Sequence, residues 1–162
     1  MTHDEIIEIC RRQEETLVFP SFTVDDAWTL GCLIREAVQK ENGSAVVDIS
    51  VFDLRMFACA IGTPTPHNET WIARKRNTCL EFWKSSLRVT QELKRMDKTL
   101  PQRGLSEQTY ALSGGAFPIR LRGEGVIGAV VCSGLPQLHD HQNIADAMAE
   151  MLSVKIPSVL EK

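Results

Sequence analysis

The 162-residue chain lacks the long apolar segments and the charge excess that mark several classes of protein. Its best apolar run, residues 125–132, has the length of a strand, whereas a membrane-spanning helix needs roughly 18 apolar residues. The 18 Lys and Arg residues are outnumbered by 21 Asp and Glu residues, so the formal net charge is −3 and a dedicated nucleic-acid surface is not expected. Residues 1–5 lack the cationic start of a secretory signal. We therefore expect a cytoplasmic protein that binds neither membranes nor nucleic acid.

The chain also lacks the short motifs of common catalytic and metal-binding families. Its five cysteines include no Cys-x-x-Cys pair and have apolar neighbours, which predicts buried, reduced thiols; a redox role for one of them is the alternative. No G-x-S-x-G, H-E-x-x-H or Walker motif is present. His139 and His141 would point in different directions on a helix, and Asp140 between them is predicted to cap that helix. We predict no built-in metal site and assign no catalytic residue.

The composition that is present indicates one folded domain over residues 1–162. Hydrophobic residues make up 43% and charged residues 24% of the chain, as in ordinary soluble proteins. The length falls within the roughly 100–200 residues of a single domain, and no repeat or flexible linker divides the sequence.

Hydrophobic periodicity predicts a mixture of helices, hairpins and one edge strand. Helices are predicted over residues 2–15, 23–40, 69–97 with a bend near Ser85, and 140–152. Hairpins are predicted over Ala45–Ile61 and Ala116–Gly134. Residues 17–22 are predicted to be extended, and Pro20, which lacks an N–H, restricts them to an edge strand or to the end of a strand. Since regular strand–helix–strand alternation is absent, we predict an α+β fold with a five-stranded antiparallel sheet flanked by helices.

The most suggestive chemistry lies in the basic run Arg74-Lys75-Arg76, which follows Trp71 on the long helix. Guanidinium groups bind carboxylate or phosphate through paired hydrogen bonds, so the run predicts an anion site. Consecutive helical residues point about 100° apart, and Arg74 and Arg76 are therefore expected to serve different partners, and to matter more than Lys75. The alternative is a solvated helix face whose arginines form salt bridges.

A glycine-bearing loop, Ser113-Gly114-Gly115, is predicted to complete this site. Paired glycines let backbone amides approach an anion closely, and one of the two arginines is expected to face the loop. The segment from Trp71 to Ser86 is then the functional surface, either as a ligand site or as a subunit contact. The predicted ligand-binding residues are Trp71, Arg74, Arg76, Ser113, Gly114 and Gly115.

Two segments of the sequence carry a family resemblance. The first is Trp-Ile-Ala-Arg-Lys-Arg-Asn-Thr at residues 71–78, followed by Phe82 and Ser85-Ser86. The second runs from Gly-Gly-Ala-Phe-Pro-Ile at residues 114–119 through Gly128 to Ser-Gly-Leu-Pro at residues 133–136 and then Asp140-His141. With these motifs the chain resembles the GlcG/HbpS-like family, also called the haem-degrading domain family, and more narrowly its uncharacterised cytosolic branch.

The resemblance implies a profilin-like fold and assembly into a homo-oligomer. Trp71 and Phe82 are candidate interface residues, because exposed apolar side chains commonly mark subunit contacts. It also implies haem as a candidate cofactor, for which His67, His139 and His141 are candidate ligands by residue type alone. We predict a ligand-binding or accessory protein whose ligand is haem or another anionic small molecule. Two alternatives stay open: a haem-degrading or redox enzyme, and an oligomeric adaptor for a protein partner.

Overall fold

The computed structural model describes residues 1–160 and has an α+β fold, which confirms the predicted fold class. The helices are α1 (His3–Thr16), α2 (Val24–Lys40), α3 (Pro66–Phe82), α4 (Ser86–Arg95) and α5 (Gln137–Leu152), with a short 3-10 helix at Pro101–Arg103. The strands are β1 (Val18–Phe19), β2 (Ala45–Val51), β3 (Leu54–Ile61), β4 (Ala116–Leu121) and β5 (Gly125–Ser133). Over this described part of the chain, no helix is both long and apolar enough to cross a bilayer.

The five strands form one sheet in the order β1-β4-β5-β2-β3. The two predicted hairpins, β2–β3 and β4–β5, are confirmed, and β2 also pairs with β5 in the antiparallel direction. Strand β1 instead runs parallel to β4, with Val18 opposite Arg120 and Phe19 opposite Leu121. The sheet is therefore mixed, and the prediction of a purely antiparallel sheet is wrong in this detail. Hairpins follow from local turns, whereas β1 pairs with a strand far along the chain that no local pattern indicates.

The two faces of the sheet are covered by different helices. Helices α2 and α5 pack on one face, and α3 packs on the other. Alternate residues of β5 show the division, because Val130 and Cys132 join the cluster of α2 and α5, while Ala129 and Val131 join the cluster of α3. The result is three layers with the sheet in the middle.

Helix α2 begins at the predicted capping box. Asp26 N donates to Thr23 Oγ1 at 3.2 Å, and Thr23 N donates to Asp26 Oδ2 at 2.7 Å, so two backbone amides at the helix start are satisfied. The predicted apolar stripe is fully buried against the sheet: Ala27, Leu30, Ile34 and Val38. The expected packing of this helix on the sheet is thereby confirmed.

The predicted long helix is divided into α3 and α4. Trp83 adopts a left-handed conformation with φ 52°, which ends α3. Ser85 Oγ then accepts a hydrogen bond from Arg88 N at 3.4 Å and caps α4, while Ser85 N donates to Glu14 Oε1 of α1 at 2.8 Å. The predicted bend near Ser85 is thus a complete break, after which α4 packs against α1.

Candidate functional site: a polar cleft beside α3

A cleft of about 220 Å³, here called the polar cleft, lies between the first half of α3 and the chain that joins β5 to α5. It is lined by His67, Asn68, Trp71, Lys75, Ser113, Ser133, Gly134, Leu135 and Asp140. Two of the predicted ligand-binding residues, Trp71 and Ser113, are among these lining residues. Arg74, Arg76, Gly114 and Gly115 are not.

Helix α3 presents a single stripe of side chains to the polar cleft. His67, Trp71 and Lys75 are spaced four residues apart, so they lie above one another on the same helix face. The start of α3 is fixed beside the sheet by Asn68. Its Oδ1 accepts a hydrogen bond from Thr65 N at 2.9 Å, and its Nδ2 donates to Ser133 O at 3.3 Å.

A buried ion pair between Lys75 and Asp140 lies at the inner side of the polar cleft. Lys75 Nζ is 2.9 Å from Asp140 Oδ2, and only 3% and 1% of the two side chains are exposed. Lys75 Nζ also donates to Cys132 O at 3.2 Å. Asp140 accepts further hydrogen bonds from Gly134 N at 3.3 Å and from Leu135 N at 3.0 Å. Breaking such a pair by removing one partner is strongly destabilising, so its charges are fixed in place.

This ion pair changes two expectations from the sequence. Asp140 does not cap α5, because the helix begins three residues earlier at Gln137 and the carboxylate instead turns inward toward Lys75. Lys75, which was expected to matter less than the flanking arginines, is the basic residue that faces the cleft and the 113–115 loop. Its burial depends on a partner 65 residues away in sequence, which no local spacing indicates.

The paired glycines of the 113–115 loop serve close packing around that ion pair. A Cβ atom on Gly115, whose φ is 114°, would lie 2.8 Å from Lys75 Nζ and 2.4 Å from Cys132 O. The Gly114 amide donates to Gln137 Oε1 at 3.1 Å, so it is already used within the protein. The loop therefore lets Lys75 reach Asp140; the Gly114 amide is not a free anion donor.

Trp71, His67 and Arg74 form a second group at the polar cleft. Trp71 Nε1 donates to His67 Nε2 at 2.9 Å, so Nε2 holds the lone pair and Nδ1 carries the proton of the neutral ring. The Arg74 guanidinium lies 4.5 Å from the centre of a Trp71 ring and donates from Nε to Tyr110 O at 3.3 Å. Trp71 thus donates a hydrogen bond to His67 and packs its ring against the Arg74 cation.

Arg76 points away from the polar cleft. Its Nη2 forms an ion pair with Asp48 of β2, whose side chain is 1% exposed and also accepts from Arg55 Nε at 2.6 Å and from Ser50 Oγ at 2.8 Å. The expectation that Arg74 and Arg76 serve different partners is confirmed.

Several hydrogen-bond donors of the polar cleft are left without a partner inside the chain. Within residues 1–160, neither the Ser113 nor the Ser133 hydroxyl forms a hydrogen bond, and the Lys75 ammonium uses two of its three N–H groups. The Asp140 oxygens, by contrast, are occupied by donors from the protein. The arrangement favours a ligand that accepts hydrogen bonds.

The remaining histidines lie elsewhere. His141 is fully buried, and burial lowers its pKa to about 3, so its ring is neutral and accepts or donates only within the core, 2.8 Å from Gln13 Oε1. His139 Nδ1 lies 2.7 Å from Glu41 Oε2 near the surface. Across residues 1–160, no three His, Cys, Asp or Glu side chains come together as a metal site would require.

The cysteines match the expectation of unpaired thiols, although two are only half-buried. All five are free; Cys10, Cys79 and Cys132 are buried, and Cys32 and Cys59 are intermediate. Burial raises the pKa of Cys10 to about 12 and, with the neighbouring Asp140 carboxylate, raises the pKa of Cys132. These buried thiols stay protonated and are poor nucleophiles at neutral pH.

The sequence has relatives among known proteins, and the fold is found in solved structures. The chain is similar to a UPF0303 protein of Rhizobium rhizogenes, with 40% identity over 149 residues that cover 92% of each chain. The solved structure of the Ybr137w protein matches 91% of this chain and 87% of its own with a TM-score of 0.82 and 29% identity. A PduOC:heme complex shares the fold with a TM-score of 0.60 at 17% identity, covering 85% of this chain and 98% of the other.

A family model described as haem degrading protein HbpS-like matches residues 22–149. The chain therefore belongs to the HbpS-like family, which confirms the resemblance seen in residues 71–86 and 114–141.

Neither the polar cleft nor the depression along α1 fits haem, which the family's description implies. His67 is the histidine of the polar cleft, and its Nε2 already accepts the Trp71 N–H. The cleft's volume of about 220 Å³ is also below the roughly 300–1,000 Å³ of pockets for larger ligands. A larger depression of about 490 Å³ lies along α1, where Asp4, Glu5 and Glu8 would repel the haem propionates.

Proposed function

We propose that the chain is a cytoplasmic, homo-oligomeric ligand-binding or accessory protein that binds a small anionic molecule in the polar cleft. The observation that carries this proposal is the fixed Lys75–Asp140 pair, which holds an ammonium group with a spare N–H beside two unpaired hydroxyls. A carboxylate or phosphate oxygen accepts charge-assisted hydrogen bonds from such groups. The residues proposed to bind it are Lys75, Ser113, Ser133 and the Nδ1–H of His67.

The charge balance of the polar cleft supports an anion. Asp140 is neutralised by Lys75 and by two backbone amides, so it repels an incoming anion only weakly. Arg74, stacked on Trp71, adds one positive charge beside the cleft. The volume of about 220 Å³ limits the ligand to a small molecule such as a short carboxylate or inorganic phosphate.

Exposed apolar side chains support the proposed homo-oligomer. Trp28 is 65% and Leu54 is 61% exposed, and both lie at the β3 side of the fold, where Trp28 contacts Phe57 edge-on. Strand β3 is the last strand of the sheet, so its outer edge has no strand partner within residues 1–160. Exposed apolar groups beside an open strand edge commonly mark a contact between subunits.

The test is a ligand titration with matched variants of the full chain. Acetate, pyruvate and inorganic phosphate are titrated by calorimetry into the wild type and into Ser113→Ala and Arg74→Gln. We expect one of these anions to bind, and Ser113→Ala to bind it about 5- to 100-fold more weakly, as for loss of a hydrogen bond to a charged group. Arg74→Gln should weaken binding less, because Arg74 contributes only a positive charge beside the cleft and no hydrogen bond to the ligand. Arg11→Gln, which changes an exposed cation of α1, is the control and should bind as the wild type does.

A parallel haem titration, followed by absorbance, separates the two ligand classes. The proposal expects no haem spectrum that depends on His67. A stoichiometric Soret band that is lost in His67→Ala would overturn it in favour of the haem reading, which the family's description supports. Failure of all three anions to bind, with a protein partner recovered in fixed proportion from cell extract, would favour the adaptor.

A further inference from the structure

Two bulky aromatic side chains are exposed at backbone positions that favour glycine or asparagine. Phe52 has φ 46° and is 78% exposed, and Trp83 has φ 52° and is 62% exposed. Phe52 and Asp53 form the two-residue turn between β2 and β3, for which Asn-Gly is the preferred pair. Trp83 follows the last residue of α3, where glycine commonly ends a helix. Both positions combine backbone strain with exposed apolar surface.

Phe52 and Trp83 line the same pocket, of about 180 Å³, which we call the aromatic pocket. Arg76 and Leu80 of α3 also line it, together with Ser50 of β2, Asp53 of the β2–β3 turn and Gly128 of β5. It shares no lining residue with the polar cleft. Two residues with strained backbones, far apart in sequence, thus line the same pocket. Such clustering of strained residues is expected at a functional site.

Arg76, which lines the aromatic pocket, has an unused hydrogen-bond donor. Its Nη2 pairs with Asp48, but its Nε is buried and has no acceptor within residues 1–160. Buried N–H groups without a partner are uncommon in folded proteins. An acceptor on a bound molecule would satisfy this group and complete a charge-assisted pair with the guanidinium.

The size of the aromatic pocket defines the class of ligand. A cavity of about 150 Å³ lined by apolar side chains is large enough to hold a benzene ring. We propose that the aromatic pocket binds a small planar molecule, a single aromatic ring that packs against Phe52 and Trp83 and carries a carboxylate for Arg76. This binding is separate from that proposed for the polar cleft, and either can fail without the other.

The experiment uses 4-fluorobenzoate as the probe and ¹⁹F NMR as the readout on the full chain. Phe52→Asn and Trp83→Gly each supply the residue type that the local backbone prefers. We expect each variant to bind the probe at least 10-fold more weakly, while its melting temperature stays the same or rises by about 2–4 °C because strain is relieved. Trp28→Ala removes an equally exposed tryptophan outside the pocket and should leave binding within twofold of the wild type.

The carboxylate requirement is tested with fluorobenzene, which has the ring but no acceptor. The wild type should bind 4-fluorobenzoate at least 10-fold more tightly than fluorobenzene, and Arg76→Lys, which lacks Nε in that position, should lose most of this preference. Equal binding of the two probes overturns the proposal. A lower melting temperature in both aromatic variants, or loss of the oligomer in both, also overturns it, because the side chains would then serve folding or a subunit contact.

Discussion

The two faces of the sheet are covered by different kinds of side chain. The face under α2 and α5 is a large and nearly continuous apolar cluster that includes Leu30, Ile34 and Met148. The face under α3 holds a much smaller apolar cluster and, beside it, the buried charges of Lys75, Asp140 and Asp48. One face stabilises the fold by removing apolar surface from water, whereas the other uses charged groups whose desolvation costs free energy.

This difference indicates where function lies. Replacing buried ion pairs by apolar residues of similar volume is often neutral or stabilising, so stability alone does not explain a Lys75–Asp140 pair. Both pockets described above lie against α3, on the charged face of the sheet. We therefore expect substitutions under α2 and α5 to change stability alone, and substitutions under α3 to change binding as well.

Lys75→Met should have the largest effect on stability. It leaves the Asp140 carboxylate buried without its cation, which costs about 3–5 kcal/mol of unfolding free energy. Urea unfolding measures the loss, and the double variant Lys75→Met with Asp140→Asn should recover part of it.

Leu30→Ala on the apolar face is the matched comparison for Lys75→Met. It should cost about 2–5 kcal/mol by leaving a cavity, without changing anion binding at the temperature where it stays folded. If Leu30→Ala weakens anion binding as much as Ser113→Ala does, the division between the two faces fails.

Gly115→Ala should destabilise the charged face by a different route. The new methyl group would lie closest to the backbone oxygen of Cys132 and 2.8 Å from Lys75 Nζ, at a backbone φ of 114°. The loop or the ion pair must therefore shift, at a cost of about 1–3 kcal/mol. Thermal unfolding measures this, and Gly104→Ala, also at positive φ but with nothing within 4 Å of its Cβ, isolates the backbone contribution. Equal losses in both variants would mean that the close packing around Gly115 contributes little to stability.

The buried His141 should make the free energy of unfolding depend on pH. Burial lowers its folded pKa to about 3 from 6.5, so below pH 6.5 the unfolded chain takes up a proton that the folded chain does not. Stability is therefore complete above pH 6.5 and falls as the pH drops, by about 2 kcal/mol between pH 6.5 and pH 5. Urea unfolding at both pH values checks this, and the decline should be smaller in His141→Gln. A variant with an unchanged pH profile would contradict the assignment.

Thr23→Ala should have the smallest of these effects. It removes the hydroxyl that caps α2, at a cost of about 1 kcal/mol or about 2–4 °C in melting temperature. Thr29→Ala is the control, since that hydroxyl bonds only to Asp25 O inside the same helix. A similar loss in both variants would show that the capping box contributes little.

Local patterns were enough to predict most of the fold. The hairpins of Ala45–Ile61 and Ala116–Gly134 and the capping box of Thr23 and Asp26 depend on residues close together in sequence, and all are present. The parallel pairing of β1 and the helix break at Trp83 escaped prediction. The first joins distant strands, and the second places a tryptophan where the local signal would be glycine.

The site was predicted only in outline, for the same physical reason. The stripe through Trp71 and Lys75 indicated which helix face matters, and the 113–115 loop does lie beside it. Which of the three basic residues 74–76 faces the cleft depends on which side chain pairs with Asp140, and that contact joins distant parts of the chain. Nothing in the local sequence around Phe52 indicates that it shares a pocket with Trp83.

The parallel pairing of β1 with β4 also bears on the order in which the chain folds. The hairpins close short loops and form quickly, whereas Val18 meets Arg120 only after a long closure with a larger entropy cost. Helix α1, which leads into β1, is held by polar contacts such as Gln13 with Gln142 and Glu14 with Arg88. We expect this N-terminal segment to join last and detach first, so that amide hydrogens of α1 exchange with solvent sooner than those of β5.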